Sequence, residues 1–341
     1  MKRFSCLNIA IFLIILSSLL PAAFPSPAHA DSAQGSLQEL TQAADSIVVG
    51  TVTEQSSYWN KEHTKIYTSV VLSVEDNIKG EPATGSVTVI VPGGIVGEIG
   101  EWVSDAATFN QGEKAVVFLK KPDQPESSPG FSAQQFEVYQ GFKGKFPVKE
   151  GKIDSLPVNE FKGRLNSILS GRTLSATELD MAPSLVTMPY SAAPFHWPFP
   201  PTPLPKYYIN ANTSDCTGED TVVRTAASTW SGAVANFSFG YAGPTTATAY
   251  SQNYANEIIW RDRGDSGALA TTYVWYMGST IVECDVEFND YYSWSASPTC
   301  PSNRYDVETV GLHELGHWLC LYDLYNPGDS AKVMYGYGSM G

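Results

Sequence analysis

The stretch that decides the fold runs "DVETVGLHELGHWLCLYD", from Asp306 to Asp323. Asp306 is a good helix N-cap, because its short side chain can accept from the first free backbone N–H groups. His313 and His317 lie four residues apart, so a helix projects both from nearly one face with their roots ~6 Å apart along the axis. That spacing lets two imidazole nitrogens meet on one metal at the zinc–nitrogen distance of ~2.0–2.1 Å. Glu314 stands beside them, placed to take a proton from a water and pass it to a leaving amine. Leu312, Leu315, Trp318 and Leu319 surround the histidines with apolar residues, which suits a buried helix. Ten positions after His313 comes Asp323, whose carboxylate can complete a set of two histidines and one carboxylate on zinc. The bland alternative is an ordinary amphipathic helix that happens to carry two histidines.

Downstream, "KVMYG" puts Met334 on a tight segment, and upstream "ALATTYVWY" reads as an amphipathic strand. Together these stretches resemble the metzincins, whose pattern is H-E-x-x-H-x-x-G-x-x-H followed by a methionine turn. "YDVETVGLHELGHWL" with "ALATTYVWY" is similar to the matrixin branch in particular, over roughly residues 206–341. The chain departs from that pattern at two positions. Asp323 stands where the third histidine is expected, an aspartate also found there in snapalysin-type metzincins. Cys320 stands where the family has a left-handed glycine that ends the helix, a conformation that costs a residue with a Cβ roughly 1–2 kcal/mol. Either Cys320 accepts that cost, or the helix runs on and its thiolate joins the metal.

The resemblance implies more. Met334 becomes an apolar floor beneath the zinc. The backbone of Leu269 and Ala270 becomes a sheet edge that binds protein or peptide substrates by strand addition. Asp262 and Asp265 in "RDRGDSGAL", with Asp285 and Glu287 in "CDVEFND", become candidate ligands for calcium, which takes six to eight oxygens. A solvated acidic loop competes with that reading. A matrixin also continues into a further helix beyond the point Gly341 reaches, so a shortened or truncated domain is expected.

Working outward, residues 1–30 have a basic start, an apolar run from Ile9 to Leu20 and Ala28-His29-Ala30 before Asp31. That is the pattern of a signal peptide with its cleavage site. The apolar run is too short to span a bilayer, which needs ~20 residues. A secreted, extracellular protein with no stable membrane anchor after cleavage is expected. The chain carries 35 acidic against 21 basic residues, a net charge of −14. Nucleic-acid binding is excluded on this balance, since phosphate contacts need clustered Lys and Arg. Four cysteines follow the leader: Cys216, Cys284, Cys300 and Cys320. An oxidising destination permits disulfides, and Cys284–Cys300 closes the shortest convenient segment.

Residues 31–171 read as short β-rich runs with a closing helix, "EFKGRLNSILSG". Strands at this spacing indicate a small β-barrel of OB-like type or a sandwich. Residues 172–205 are proline-dense and read as a semi-rigid linker. Residues 206–341 alternate strands with two helices. The expected class is therefore α+β: a small barrel, then a metzincin-type domain with a twisted, mostly parallel sheet and two main helices. The expected activity is that of a secreted zinc metalloendopeptidase. The alternative is a zinc-containing binding or adhesion protein whose protease-like domain is inert.

Overall fold

The computed structural model describes residues 37–80, 85–122, 135–172, 174–175, 192–198, 205–234, 237–265, 267–338 and 340. The expected leader (1–30) and most of the proline-dense stretch lie outside the described residues. The chain divides into two units. One takes in the described parts of Gln34–Val96 and Asp105–Val186; the other takes in Gly97–Ser104 with the described part of Thr187–Gly341.

In the first unit, helix α1 (Leu37–Ala43) precedes strands β1 (Ser46–Trp59), β2 (Ile66–Lys79), β3 (Ser86–Pro92) and β4 (Gly94–Val96). After β5 (Ile99–Val103), which belongs to the other unit, come β6 (Lys114–Lys120), β7 (Gln135–Val138), β8 (Lys145–Pro147), the short pair β9 (Lys152–Ile153) and β10 (Leu156–Pro157), and helix α2 (Val158–Leu169). The sheet runs β1-β2-β3-β7-β6-β8, and β1 also pairs with β6. Only β3 and β7 are parallel; the other pairings are antiparallel. Alternation sorts the side chains onto two faces. Ile47, Val49, Val116 and Phe118 pack against Leu37, Leu40, Phe161 and Leu165 of the two helices. Val48, Val52, Val117 and Leu119 face the other way, onto Val70, Leu72, Val87 and Val89.

The second unit has β11 (Lys206–Ile209), helix α3 (Glu219–Ala233), β12 (Gly240–Pro244), β13 (Asn256–Arg261), β14 (Ala270–Met277) and β15 (Thr280–Asn289). A short parallel pair, β16 (Trp294–Ser295) and β17 (Tyr305–Asp306), leads into helix α4 (Val307–Trp318). Its strands lie in the order β12-β11-β13-β15-β14-β5. The pairings from β12 to β15 are parallel, while β15–β14 and β14–β5 are antiparallel. The expectation of a mostly parallel sheet is thus corrected to a mixed one, because β14 turns back on β15 as a hairpin and β5 joins from far upstream. Both units are α+β with mixed sheets.

The two faces of β15 differ. Cys284, Val286 and Phe288 belong to the apolar core shared with α3 and α4. Glu283, Asp285 and Glu287 point the other way and are fully buried. Trp260 stacks on Phe288 in that core, and Trp230 of α3 anchors to α4 through Nε1–H donating to the Leu312 carbonyl at 2.7 Å.

Domain boundaries also shift. Residues 97–104, expected in the 31–171 domain, belong to the later sheet. The expected linker is not wholly a spacer: Ala193 and Phe195 are buried in the second core, and Trp197 Nε1–H donates to the Trp318 carbonyl at 2.8 Å.

Candidate metal centre

Helix α4 begins as expected: the Asp306 carboxylate accepts from Thr309 N at 2.9 Å and from Thr309 Oγ1 at 2.6 Å. It ends at Trp318, and two residues on Cys320 adopts a left-handed φ of +67°. Cys320 N donates to the His317 carbonyl and Leu321 N to the Gly316 carbonyl, so the last turn closes and the chain reverses. The helix therefore does not run on to present the Cys320 thiol to a metal. The side chain is buried in the core instead.

The reversal returns Asp323 to the histidines. Its Oδ1 lies 2.9 Å from His313 Nε2 and 3.6 Å from His317 Nε2. Donor atoms on a tetrahedral zinc at ~2.0–2.1 Å stand roughly 3.3 Å apart, which is this spacing. Each Nδ1 is committed elsewhere: His313 Nδ1 to the Val333 carbonyl at 2.9 Å, His317 Nδ1 to the Leu321 carbonyl at 2.7 Å. A carbonyl only accepts, so each neutral ring carries its hydrogen on Nδ1 and turns the Nε2 lone pair inward. Beyond the two histidines, Asp323 Oδ1 is buried with no further hydrogen-bond partner.

Three electron pairs thus converge in a buried place and need a positive charge between them. Without a metal, a proton on His313 supplies part of it. Burial pulls that imidazole down, but the hydrogen bond and charge of Asp323 outweigh it and push it up to about 9. Burial holds the neighbouring His317 down, to about 4. A divalent metal ion fits this donor set better, since a dication engages all three atoms at once.

Glu314 is almost fully buried, and its Oε2 accepts from Thr272 Oγ1 at 2.6 Å. A carboxylate oxygen of Glu314 and a ring nitrogen of each histidine lie within 4.8 Å of one another. Met334 packs directly under the helix: a Cβ added at Gly316 would strike its Sδ. Leu324 N donates to the Met334 carbonyl at 2.7 Å, tying that floor to the returning segment.

Other expectations fare differently. The Leu269 carbonyl accepts from Asn289 N at 2.8 Å, so it faces β15 rather than the sheet edge. Ala270 is paired with Phe288, two residues before Thr272, whose backbone faces outward. The four candidate calcium acids do not converge. Asp262 accepts from Gly264 N and Asp265 from Tyr292 Oη, both in one surface loop. Asp285 and Glu287 lie under residues 250–257, where Asp285 accepts from Ser251 N and Glu257 N and Glu287 from Tyr250 N and Tyr273 Oη. Those carboxylates hold a loop across the sheet. The Cys284–Cys300 bridge is not formed: β15 carries Cys284 into the core, while Cys300 Sγ donates to the Arg304 carbonyl at 3.3 Å. Closeness in sequence said nothing about the direction in which the strand turns the thiol.

Sequence reasoning missed Thr272 and Trp102. Thr272 had a usable signal, since alternation along β14 turns Thr272 and Val274 to the helix side. Trp102 had none. Its ring lies 5.4 Å from that of His317 and 5.3 Å from that of Tyr322, yet it comes from more than 200 residues upstream. No family model matches the chain, and no curated protein matches it.

Proposed function

We propose that the chain is an exported zinc endopeptidase of the metzincin type, similar to matrixins, with His313, His317 and Asp323 as metal ligands and Glu314 as general base. The observation that carries this reading is the convergence of two histidine Nε2 atoms and one Asp323 carboxylate oxygen, with the Glu314 carboxylate beside them. A metal held only for structure has no use for Glu314.

Zinc, when bound, would polarise a peptide carbonyl and lower the pKa of an attacking water. The chain's own residues do the rest. The Val333 and Leu321 carbonyls fix the two rings. Thr272 orients the Glu314 carboxylate, which would receive the water's proton and return it to the departing amine. The edge of β14 would hold the substrate backbone extended. In the first unit, the closed cycle of pairings β1-β2-β3-β7-β6-β1 supports a small barrel of OB type, read as a binding or regulatory module.

Purified zinc-loaded protein is expected to cleave casein. Glu314→Ala is expected to keep its zinc by elemental analysis and to lose cleavage by at least a hundred-fold, the scale of a lost general base. Full zinc occupancy with no hydrolysis of any peptide library would instead favour the inert, zinc-containing binding protein. Well-folded protein that takes up no zinc would remove both readings.

A further inference from the structure

The edge of β14 beside the metal triad is already occupied. Strand β5 pairs with it antiparallel, from Val103 opposite Tyr273 to Ile99 opposite Met277. At the end nearest the triad, Ser104 N donates to the Thr272 carbonyl and Thr272 N donates to Ser104 Oγ, both at 3.0 Å. Thr272 is the residue whose hydroxyl holds Glu314, so this strand reaches the base through a single residue. Trp102 projects to the helix side. Its ring packs against Phe195 at 5.9 Å, Tyr322 at 5.3 Å and the metal-binding ring of His317 at 5.4 Å. Phe195 is backed in turn by Tyr276, stacked at 4.8 Å.

Building on the proposed peptidase site, we infer that residues 97–104 are a built-in peptide held in the substrate groove, with Trp102 filling its side-chain pocket. The strand makes the backbone contacts that an extended substrate needs, and it lines the edge of β14 beside the triad. An incoming peptide must therefore displace it. A tethered segment competes at an effective concentration of about millimolar, so it weakens peptide binding at the groove without abolishing it. The occupant also reports what the groove prefers. A peptide that binds there is extended and carries an aromatic side chain in the pocket of Phe195, Tyr276 and Tyr322.

The test reads binding rather than turnover, so it stands whether or not the chain proves to be a peptidase. The probe is a fluorescein-labelled octapeptide GEIGEWVS, the sequence of residues 97–104. It is titrated by anisotropy against zinc-loaded full-length protein in a Glu314→Ala background. Ile99 and Met277 are cross-strand partners, and the flanking Gly278 N donates to the Glu98 carbonyl, which leaves 99/277 a non-hydrogen-bonded pair. Such pairs hold their Cα atoms ~4.5 Å apart, within disulfide range. Ile99→Cys with Met277→Cys, oxidised by glutathione disulfide, locks the strand in place, and a thiol reductant releases it. The locked form is expected to bind the probe at least ten-fold more weakly than the reduced form. Equal binding by the two forms, or none by either, overturns the strand assignment. Trp102→Ala, which weakens the occupant, is expected to bind at least ten-fold tighter than its parent, and a probe with alanine for tryptophan to bind at least ten-fold more weakly. Indifference to both changes overturns the pocket assignment.

Discussion

At the scale of single residues, two glycines of α4 separate what helix propensity wants from what the site allows. A Cβ at Gly311 would meet Phe288, Val223 and Ala226 at 3.6–3.9 Å, ordinary contact distances. A Cβ at Gly316 would strike Met334 Sδ and stand 3.2 Å from Trp230, which its bond to the Leu312 carbonyl holds in place. Gly311→Ala should therefore stabilise the unit by up to ~1 kcal/mol, the helix propensity difference. Gly316→Ala should destabilise it by ~1–3 kcal/mol through overpacking. Urea unfolding followed by tryptophan fluorescence measures both, because seven of the eight tryptophans lie in this unit and only Trp59 in the other. Opposite signs are the expected outcome; a shared sign would mean that Met334 does not press on the helix.

At the scale of elements, α4 is held at both ends by side-chain choices visible in the sequence. Removing the cap with Asp306→Ala should cost ~1 kcal/mol in the same unfolding measurement, since two donors of Thr309 lose their acceptor. The helix, its two histidines and its cap were legible because all three depend on local spacing. The left-handed turn at Cys320 was legible only as a choice between two paths, for its strain is local but the core that absorbs it is not. Strand β5 was not legible at all. "GEIGEWVS" is short, interrupted by glycines and charged, and its partner Ala270–Met277 lies some 170 residues away. Nothing in its own pattern names that partner. The four acids of the calcium reading stand apart for a related reason: those of β15 cluster in sequence, while alternation sends them to a face where backbone N–H groups meet them.

At the scale of the whole molecule, the acid excess is partly internal. Glu101, Glu257, Glu283, Asp285 and Glu287 are each at least 94% buried, all in the second unit. Burial drives the Glu283 carboxyl up to about 7, against the pull of the Asn253 and Tyr254 N–H groups, with Glu257 adding repulsion. Burial and the charge of Glu283 raise Asp285 as well. Because Glu283 holds its proton more tightly folded than unfolded, its contribution is full below about 4.5 and is lost as pH rises through about 7. Each pKa unit corresponds to about 1.4 kcal/mol, so the swing is on the order of 3 kcal/mol. Other groups also titrate in this window, so the measurement is a difference. The melting temperature of metal-free wild type minus that of metal-free Glu283→Gln should fall as pH is raised from 4.5 to 7.5 and level off above. The glutamine keeps the uncharged shape at every pH, so the fall isolates the cost of charging one buried carboxyl beneath the loop it holds. A flat difference would mean that this carboxyl is already ionised at pH 5, and that the backbone donors of residues 253 and 254 outweigh its burial.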